Sequence, residues 1–147
     1  MDVTKSPSLN GRLNQFDLTG VRVLFVDDEL DSRLLVEQLL RDRNAEVVSA
    51  ASAMEAMEVI MRSPPDVLVS DIGMPTKDGY WLMQQVCRLV SNHSTSLPAL
   101  TLAAYARPED QECAILAGFQ MYASKPIEPV ELVAKVTKLA SRPAAVT

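Results

Sequence analysis

The sequence predicts an α/β domain in which a doubly wound, five-stranded parallel sheet carries helices on both faces. Short runs of apolar residues alternate five times with longer segments of helical periodicity. Gly, Pro and capping residues separate these segments and mark them as individual strands and helices. Because each parallel connection needs a crossover, a regular alternation of strand and helix favours a parallel sheet covered by helices.

Five segments are short, rich in apolar residues and bounded by turn residues, so we expect them to be the strands. They are residues 21–26, 46–50, 67–71, 98–102 and 120–124. The third begins with Val67-Leu68-Val69, ends at Asp71 and is followed by breaks at Gly73 and Pro75. A run of this kind is typical of a buried strand in a parallel sheet.

Five helices are expected between and after these strands. Ser52 caps the second, with Glu55 in the capping-box position, and Gly118 ends the fourth. The helices begin near Asp31, Ser52, Tyr80, Pro108 and Pro129. Their apolar faces contain Leu34, Leu35, Leu39 and Leu40; Ala53, Met57, Ile60 and Met61; Leu82, Val86, Leu89 and Val90; and Val130, Val133, Val136, Leu139 and Ala140.

The chain of 147 residues is expected to form one domain with polar ends. Residues 1–20 lack a sustained period and predict a linker or tail, in which Phe16-Asp17-Leu18 can pack on the edge of the domain. Residues 21–142 form the domain, and residues 143–147 are a second tail. No apolar stretch reaches the roughly 18 residues that a membrane span needs, and the first 20 residues lack the apolar core of a signal peptide. A cytoplasmic location is the resulting expectation.

The net charge, the two cysteines and the single histidine limit the functions that the sequence supports. The formal net charge of -5 argues against general nucleic-acid binding, because no basic stripe is present to neutralise phosphates. Cys87 and Cys113 lie in helical patterns and are interpreted as free, buried thiols rather than a disulfide. His93 lies in a polar loop, residues 91–96, and is interpreted as a solvated residue without a catalytic role.

Acidic residues follow two of the predicted strands. Asp27 and Asp28 follow the first and Asp71 ends the third, so neighbouring strands would bring their carboxylates to one edge of the sheet. Carboxylates this close repel one another unless a counter-charge is present. Mg²⁺ prefers oxygen ligands, and Lys125 follows the fifth strand at the same edge. Such a site can hold a phosphoryl group, with Asp71 placed as the nucleophile.

Each of these residues also has a simpler interpretation. Asp27 and Asp28 can belong to a solvated loop before a helix, Asp71 can form an Asx turn, and Lys125 can be a surface lysine. Taken singly, the simpler interpretation is favoured for Asp27, Asp28 and Lys125, and for Asp71 it is as good as the chemical one. Taken together, the coincidence of all four residues at carboxyl ends of odd-numbered strands favours a functional site.

Four ordered motifs resemble the receiver domain of two-component response regulators. They are Val-Leu-Phe-Val-Asp-Asp-Glu at 23–29, Asp-Ile-Gly-Met-Pro at 71–75 with Asp-Gly at 78–79, Leu-Ala-Ala-Tyr-Ala at 102–106, and Ser-Lys-Pro at 124–126. The resemblance covers about residues 21–142. It implies a CheY-like, flavodoxin-like fold with strand order 2-1-3-4-5, either as a free-standing protein or as the receiver part of a hybrid sensor kinase.

The resemblance also implies roles for single residues. Asp71 would accept a phosphoryl group from a histidine of a sensor kinase or phosphotransfer domain. Asp28, Asp71 and the backbone carbonyl of Gly73 would bind Mg²⁺ directly, and Asp27 would act through a water. Lys125 would pair with a phosphoryl oxygen. The activity implied is limited to self-catalysed phosphotransfer and autodephosphorylation rather than that of a conventional enzyme.

Two further positions bear on switching. Tyr122 matches the family's rotating aromatic residue, whereas Ala103 stands where the family usually has Thr or Ser. Thr101 lies two residues earlier, on the same strand face but roughly 6–7 Å further from the site. A hydrogen bond to a charged group contributes about 1.5–3 kcal/mol, and a nearly complete population shift needs about 5.5 kcal/mol. We therefore expect phosphorylation to be retained and its coupling to Tyr122 to be weakened.

Three functions remain in competition at this point. The first is a phosphoacceptor receiver that signals through the fourth helix, the fifth strand and the fifth helix, either to an output partner or in a homodimer. The second is a non-phosphorylated interaction module that uses the same face; Ala103 favours it, whereas the intact acids and Lys125 argue against it. The third is a Mg²⁺-dependent phosphohydrolase, which position 73 disfavours because Gly73 offers no general acid and the chain is too short for a substrate cap.

Overall fold

The predicted sheet is present with the strand order that the resemblance implied. The computed structural model describes residues 9–93, 97–104 and 107–141. The strands are β1 Arg22–Val26, β2 Glu46–Ala50, β3 Val67–Asp71, β4 Ala99–Ala103 and β5 Met121–Ser124. All are parallel, in the order β2-β1-β3-β4-β5, so β3 occupies the centre of the sheet.

Helices cover both faces of the sheet, as predicted. They are α1 Leu9–Leu13, α2 Leu30–Arg41, α3 Ala53–Arg62, α4 Gly79–His93, α5 Pro108–Ala117 and α6 Pro129–Ala140. One core layer combines Val23 and Phe25 of β1 with α2 and α6, and the other combines Leu24 and Val26 with α3, α4 and α5. Successive β1 residues are therefore buried on opposite faces, which explains the continuous apolar runs.

The helix ends follow from local chemistry. The Ser52 hydroxyl accepts a hydrogen bond from the Glu55 amide at 3.1 Å, while the Glu55 carboxylate accepts one from the amide of Ala51. The Glu128 side chain caps α6 in the same way. Gly118 ends α5 with a φ of 118°, in the left-handed region where glycine carries no steric penalty.

Parts of the predicted apolar faces point to solvent instead. Leu34 and Leu35 are 55% and 47% exposed, and Met61 is 69% exposed. In α2 the fully buried residues are Val36 and Leu40. Four leucines within seven residues span too wide an arc for one sheet face to cover, so one side of α2 remains apolar and exposed.

Residues 9–20 differ from the expected tail. They contain α1, which contacts α6, and they place Leu13 and Leu18 in the core at 6% and 1% exposure. Arg43 holds this segment, since its guanidinium donates to the Leu13 carbonyl at 3.0 Å and its own carbonyl accepts from the Leu18 amide. The remaining part of the expected tail, residues 1–8, lies outside the described residues, as do residues 142–147.

Two smaller expectations also need correction. The polar loop expected over residues 91–96 is helical at its start, because α4 continues to His93, and residues 94–96 lie outside the described part. Cys87 and Cys113 are free, as expected, but exposed rather than buried. Among the described residues, no helix has the length and apolar character needed to cross a membrane.

Candidate functional site

Three carboxylates meet at the carboxyl edge of the sheet. Val26 and Ser70 are partners in the β1–β3 register, so the residues that follow them, Asp27 and Asp71, are neighbours. One carboxylate oxygen from each of Asp27, Asp28 and Asp71 lies within 4.8 Å of the others. Asp27 is fully buried and Asp71 is 6% exposed, whereas Asp28 faces solvent. The structure therefore builds a cluster with two inner acids and one outer acid.

Lys125 supplies the positive charge at this cluster. Its Nζ atom lies 3.3 Å from Asp27 Oδ2 and 3.3 Å from Asp71 Oδ2. The Lys125 amide donates to the Ala103 carbonyl at 2.8 Å, which fixes the lysine beside the end of β4. The peptide bond between Lys125 and Pro126 is cis. One ammonium thus bridges the two inner carboxylates.

Lys125 compensates only part of the negative charge around Asp71. Burial raises the pKa of Asp71 and the Asp27 carboxylate raises it further, although Lys125 and a hydrogen bond from the Gly73 amide oppose the shift. Burial disfavours the charged form of Lys125, but the carboxylates of Asp71 and Asp27 outweigh it and raise the pKa of the lysine. The lysine therefore stays protonated while the acids remain only partly compensated.

The backbone around Asp27 is held by polar contacts. The Asp27 carboxylate accepts a hydrogen bond from the Glu29 amide at 2.9 Å. The guanidinium of Arg33 donates to the Asp27 carbonyl at 2.8 Å. These contacts fix the turn from β1 into α2, so the Asp27 side chain reaches the site from a constrained backbone.

The backbone of Asp71 is held from two sides. The Ser70 hydroxyl donates to the Asp71 carbonyl at 2.9 Å, and the Gly79 amide donates to the Ile72 carbonyl at 2.9 Å. A Cβ atom at Gly79 would stand 2.6 Å from the Asp71 carbonyl oxygen. Position 79 therefore requires glycine because the start of α4 approaches the end of β3 so closely.

No serine or threonine hydroxyl reaches the site from β4 in the described structure. Ala103 lies at the end of β4, opposite Ser124, and lines the cavity beside Asp71. The hydroxyl of Thr101 is fully buried and donates to the Ser70 carbonyl at 3.0 Å, so it braces β3 instead. The position that the resemblance assigned to a switch hydroxyl thus carries only a methyl group.

An open cavity of about 560 Å³ surrounds the cluster. The residues that line it include Asp28, Asp71, Tyr80, Arg107, Asp110, Tyr122 and Lys125. The guanidinium of Arg107 forms an ion pair with the Asp110 carboxylate at 3.1 Å. The hydroxyl oxygen of Tyr122 is buried and has no hydrogen-bond partner among the described residues.

Both tyrosines stay neutral in this setting. Burial raises the pKa of Tyr122, and nearby Asp110 raises it further while Arg107 lowers it. Burial also raises the pKa of Tyr80, with Cys113 and Asp110 as further causes. Each hydroxyl therefore keeps its proton and can donate a hydrogen bond into or beside the cavity.

The donor set fits a hard divalent cation. All three clustered groups are carboxylates, their oxygens lie within 4.8 Å of one another, and their summed charge exceeds that of Lys125. Oxygen-only ligands with open access to water are typical of Mg²⁺ sites. The acids of this cluster are therefore able to hold a metal ion.

The sequence predicted that the acids and Lys125 lie at this edge of the sheet. It did not predict that Tyr80, Arg107 and Asp110 line the same cavity. These residues come from the starts of α4 and α5, and no single motif joins them to Asp71. A signal was present in Arg107-Pro-Glu-Asp110, where opposite charges are separated by three residues just after a strand end. That signal predicts a helical ion pair but not its position in the cavity.

Comparisons with known proteins agree with this architecture. Residues 23–137 match the family model described as the response regulator receiver domain. An uncharacterised 14.6 kDa protein from Leptolyngbya boryana is 41% identical over 79% of this chain and 87% of its own length. The structure of the chemotaxis protein CheY4 of Vibrio cholerae superimposes with a TM-score of 0.74 at 28% identity, covering 81% of this chain and 98% of that one.

Other relatives are much longer than this chain. The sensor histidine kinase GacS of Pseudomonas protegens is 32% identical over 80% of this chain, which spans 13% of the kinase. The chain also spans about half the length of several transcriptional regulators that it matches. The similarity is therefore to one domain of these proteins.

Proposed function

The chain belongs to the response regulator receiver domain family of two-component signalling, and on that premise we propose that Asp71 accepts a phosphoryl group and that the modified domain signals through protein contacts. The observation that carries this proposal is the position of Asp71. It is a nearly buried carboxylate beside two further acids, with the Lys125 ammonium 3.3 Å from its Oδ2 atom. Few structural roles need three acids and one lysine in such an arrangement.

The chemistry proposed is transfer from a phosphorylated histidine. An Asp71 carboxylate oxygen attacks the phosphorus atom, a P–O bond forms as the P–N bond breaks, and the departing imidazole nitrogen takes up a proton from solvent. Hydrolysis reverses the modification when water attacks the phosphorus atom and the acyl-phosphate P–O bond breaks, which returns the carboxylate and inorganic phosphate. Lys125 would bind a phosphoryl oxygen in both steps, a role that the contact of its ammonium with Asp71 supports.

The acids are proposed to hold Mg²⁺. Asp28 and Asp71, with the backbone carbonyl of Gly73, would bind it directly, and Asp27 would act through a water molecule. When bound, the cation would neutralise the carboxylates and the charge on the phosphoryl oxygens. The partial compensation of the acids by Lys125 alone supports this assignment, because the pKa of Asp71 remains raised.

The partner proposed for phosphorylation is a histidine kinase or a phosphotransfer domain. Leu30 and Leu34 on α2 are 58% and 55% exposed, and α2 begins directly after the acidic loop. An apolar surface beside the site is suited to docking a helical donor that delivers a phosphorylated histidine.

For output to a partner or a homodimer we propose the face of α5, β5 and α6, which are the predicted fourth helix, fifth strand and fifth helix. Ile115 and Leu116 of α5 are exposed.

Intact-mass measurement tests the proposal. The protein is incubated with acetyl phosphate and Mg²⁺, and we expect a mass increase of one phosphoryl group in the wild type and none in Asp71→Asn. Asp66→Asn is the matched control, because it removes the same charge at the amino end of β3, and it should be modified like the wild type. Modification of Asp71→Asn to the wild-type extent would contradict the acceptor assignment.

The second candidate function is a non-phosphorylated interaction module. Ala103 favours it, because the end of β4 offers no hydroxyl to a phosphoryl group. This candidate predicts that the wild type gains no mass with acetyl phosphate or a phosphorylated donor and binds its output partner equally well with and without them. The same measurement therefore separates the two functions.

A further inference from the structure

The end of β4 beside Asp71 offers no Ser or Thr hydroxyl to a phosphoryl group. Of the described residues that line the cavity, Ala103 and Ala104 present methyl groups and none is Ser or Thr. A phosphoryl group on Asp71 carries three outer oxygens, and Lys125 with the metal site accounts for only part of them. A second cation that lines the same cavity would meet the remaining charge.

Arg107 is that cation. It precedes α5 as its N-cap residue and lines the same cavity as Asp71 and Lys125. Arg33 and Lys77 are not among the described residues that line the cavity: Arg33 donates to the Asp27 carbonyl, and Lys77 lies over the Trp81 ring. Among the described residues, Arg107 and Lys125 are the only cationic side chains that line the cavity.

The ion pair between Arg107 and Asp110 is a weak one. The arginine Nε atom lies 3.1 Å from Asp110 Oδ2, and the arginine side chain is 66% exposed. An exposed ion pair of this kind adds little stability, because water screens it and two side chains must be ordered. A phosphoryl group carries more charge than a carboxylate and accepts two parallel hydrogen bonds from a guanidinium. A phosphoryl group on Asp71 would therefore compete effectively with the Asp110 carboxylate for the Arg107 guanidinium.

We propose that Arg107 is the phosphoryl-sensing residue of this domain, and that it exchanges Asp110 for a phosphoryl oxygen on Asp71 in place of the hydroxyl that position 103 lacks. This proposal rests on the proposed function, since it requires Asp71 to be the acceptor. Arg107 here is a binding residue for the modified state.

The exchange has a direct consequence for Tyr122. Asp110 lines the same cavity as the buried Tyr122 hydroxyl, which has no described hydrogen-bond partner. A carboxylate released by Arg107 can accept a hydrogen bond from that hydroxyl. Because Asp110 lies in the first turn of α5 and Ile115 and Leu116 on the same helix are exposed, a shift at its N-terminus would reach the proposed output face.

Beryllofluoride binding with Mg²⁺ provides the test, because it mimics a phosphoryl group on the carboxylate without turnover. Affinity is measured by titration, with amide and Tyr122 ring NMR shifts as the readout. Arg107→Gln should weaken binding about tenfold or more, as expected for loss of one hydrogen bond to a charged group, and should abolish the Tyr122 shift. Arg107→Lys should retain part of the affinity because it keeps the charge.

Further variants and a Mg²⁺ titration isolate the effect. Arg62→Gln makes the same charge change at the exposed end of α3, away from the cavity, and should bind within about twofold of wild type. Asp110→Asn removes the competing carboxylate and should tighten binding, whereas Arg107→Gln with Asp110→Asn should behave like Arg107→Gln alone. Mg²⁺ affinity measured without beryllofluoride should not weaken in Arg107→Gln.

The outcomes separate the two proposals. If wild type responds to beryllofluoride but Arg107→Gln binds it as tightly as Arg62→Gln does, the sensing role is overturned and the acceptor role stands. Equal weakening in both glutamine variants also overturns the sensing role, since it shows a general charge effect. A wild type that gives no response overturns the acceptor role, and the sensing role with it.

Discussion

Replacing Asp71 with asparagine should stabilise the metal-free protein. The Asp71 carboxylate is nearly buried, and burial is the largest cause of its raised pKa. A raised pKa means that the fold disfavours the charged form, so an uncharged side chain of the same shape removes a penalty. The side-chain amide that the substitution introduces still offers a carbonyl oxygen to accept a hydrogen bond from Lys125.

The magnitude follows from the distances at the site. With an effective dielectric constant of about 20, the contact between Lys125 and Asp71 at 3.3 Å contributes about 5 kcal/mol of attraction. The Asp27 carboxylate, within 4.8 Å, opposes this by at least about 3.5 kcal/mol. Burial of an ion costs several kcal/mol after relaxation, which exceeds the difference. We expect a gain of about 1–3 kcal/mol for Asp71→Asn at neutral pH.

Urea denaturation in a chelator and in excess Mg²⁺ measures this effect. The cation should stabilise wild type more than Asp71→Asn, because the variant loses a charged ligand, so the gain should shrink or reverse. The stability gain of Asp71→Asn over wild type should also shrink as the pH falls. A carboxyl group whose pKa is raised in the folded state stabilises the wild type when it takes up its proton. If Asp71→Asn is less stable than wild type in chelator, or if Mg²⁺ stabilises both proteins equally, the electrostatic reasoning is refuted.

Three further predictions concern the surroundings of Asp71. Millimolar Mg²⁺ should change the fluorescence of Trp81, which lies near the start of α4, and the absence of any fluorescence or NMR response would count against the metal site. Ala103→Thr should enlarge the NMR shift of Tyr122 on activation without being needed for phosphorylation, and an unchanged shift would show that the hydroxyl is not limiting. Gly79→Ala should lower the free energy of unfolding by roughly 1–3 kcal/mol in urea denaturation and weaken Mg²⁺ binding, because the added Cβ would meet the Asp71 carbonyl oxygen. A variant as stable as wild type would contradict the close approach of α4 to the end of β3.

The sheet and the acidic edge of the site could be predicted because they depend on local patterns. Central strands of a parallel sheet are buried on both faces, so β1, β3 and β4 are short continuous apolar runs, and β3 leads directly to Asp71. Parallel strands also bring their carboxyl ends to one edge, which places Asp27 beside Asp71. Neither prediction requires knowledge of how the side chains pack.

The missed features depend on three-dimensional arrangement. The exposure of Leu34 and Leu35 is decided by how far one sheet face covers a helix, which periodicity does not specify. Arg107 joins the site because it is the N-cap residue of α5 and lines the cavity, and its ion pair with Asp110 has the sequence spacing of an ordinary helix feature. Thr101, which the sequence places on the same strand face as Ala103 but further from the site, donates its hydroxyl to the Ser70 carbonyl, a contact that the sequence does not indicate.

The packing of residues 9–20 sets where a folding unit of this protein must begin. A fragment that starts at residue 21, the boundary expected from sequence, would lose two core side chains, Leu13 and Leu18, and would leave the apolar surface beneath them open to water. Burial of one leucine contributes about 1.5–3 kcal/mol, so the pair represents a large share of the roughly 5–15 kcal/mol that stabilises a typical domain. Arg43 would also lose the carbonyl that its guanidinium binds. Residues 9–20 therefore belong to the cooperative unit, and a shortened fragment should unfold more readily than the full chain.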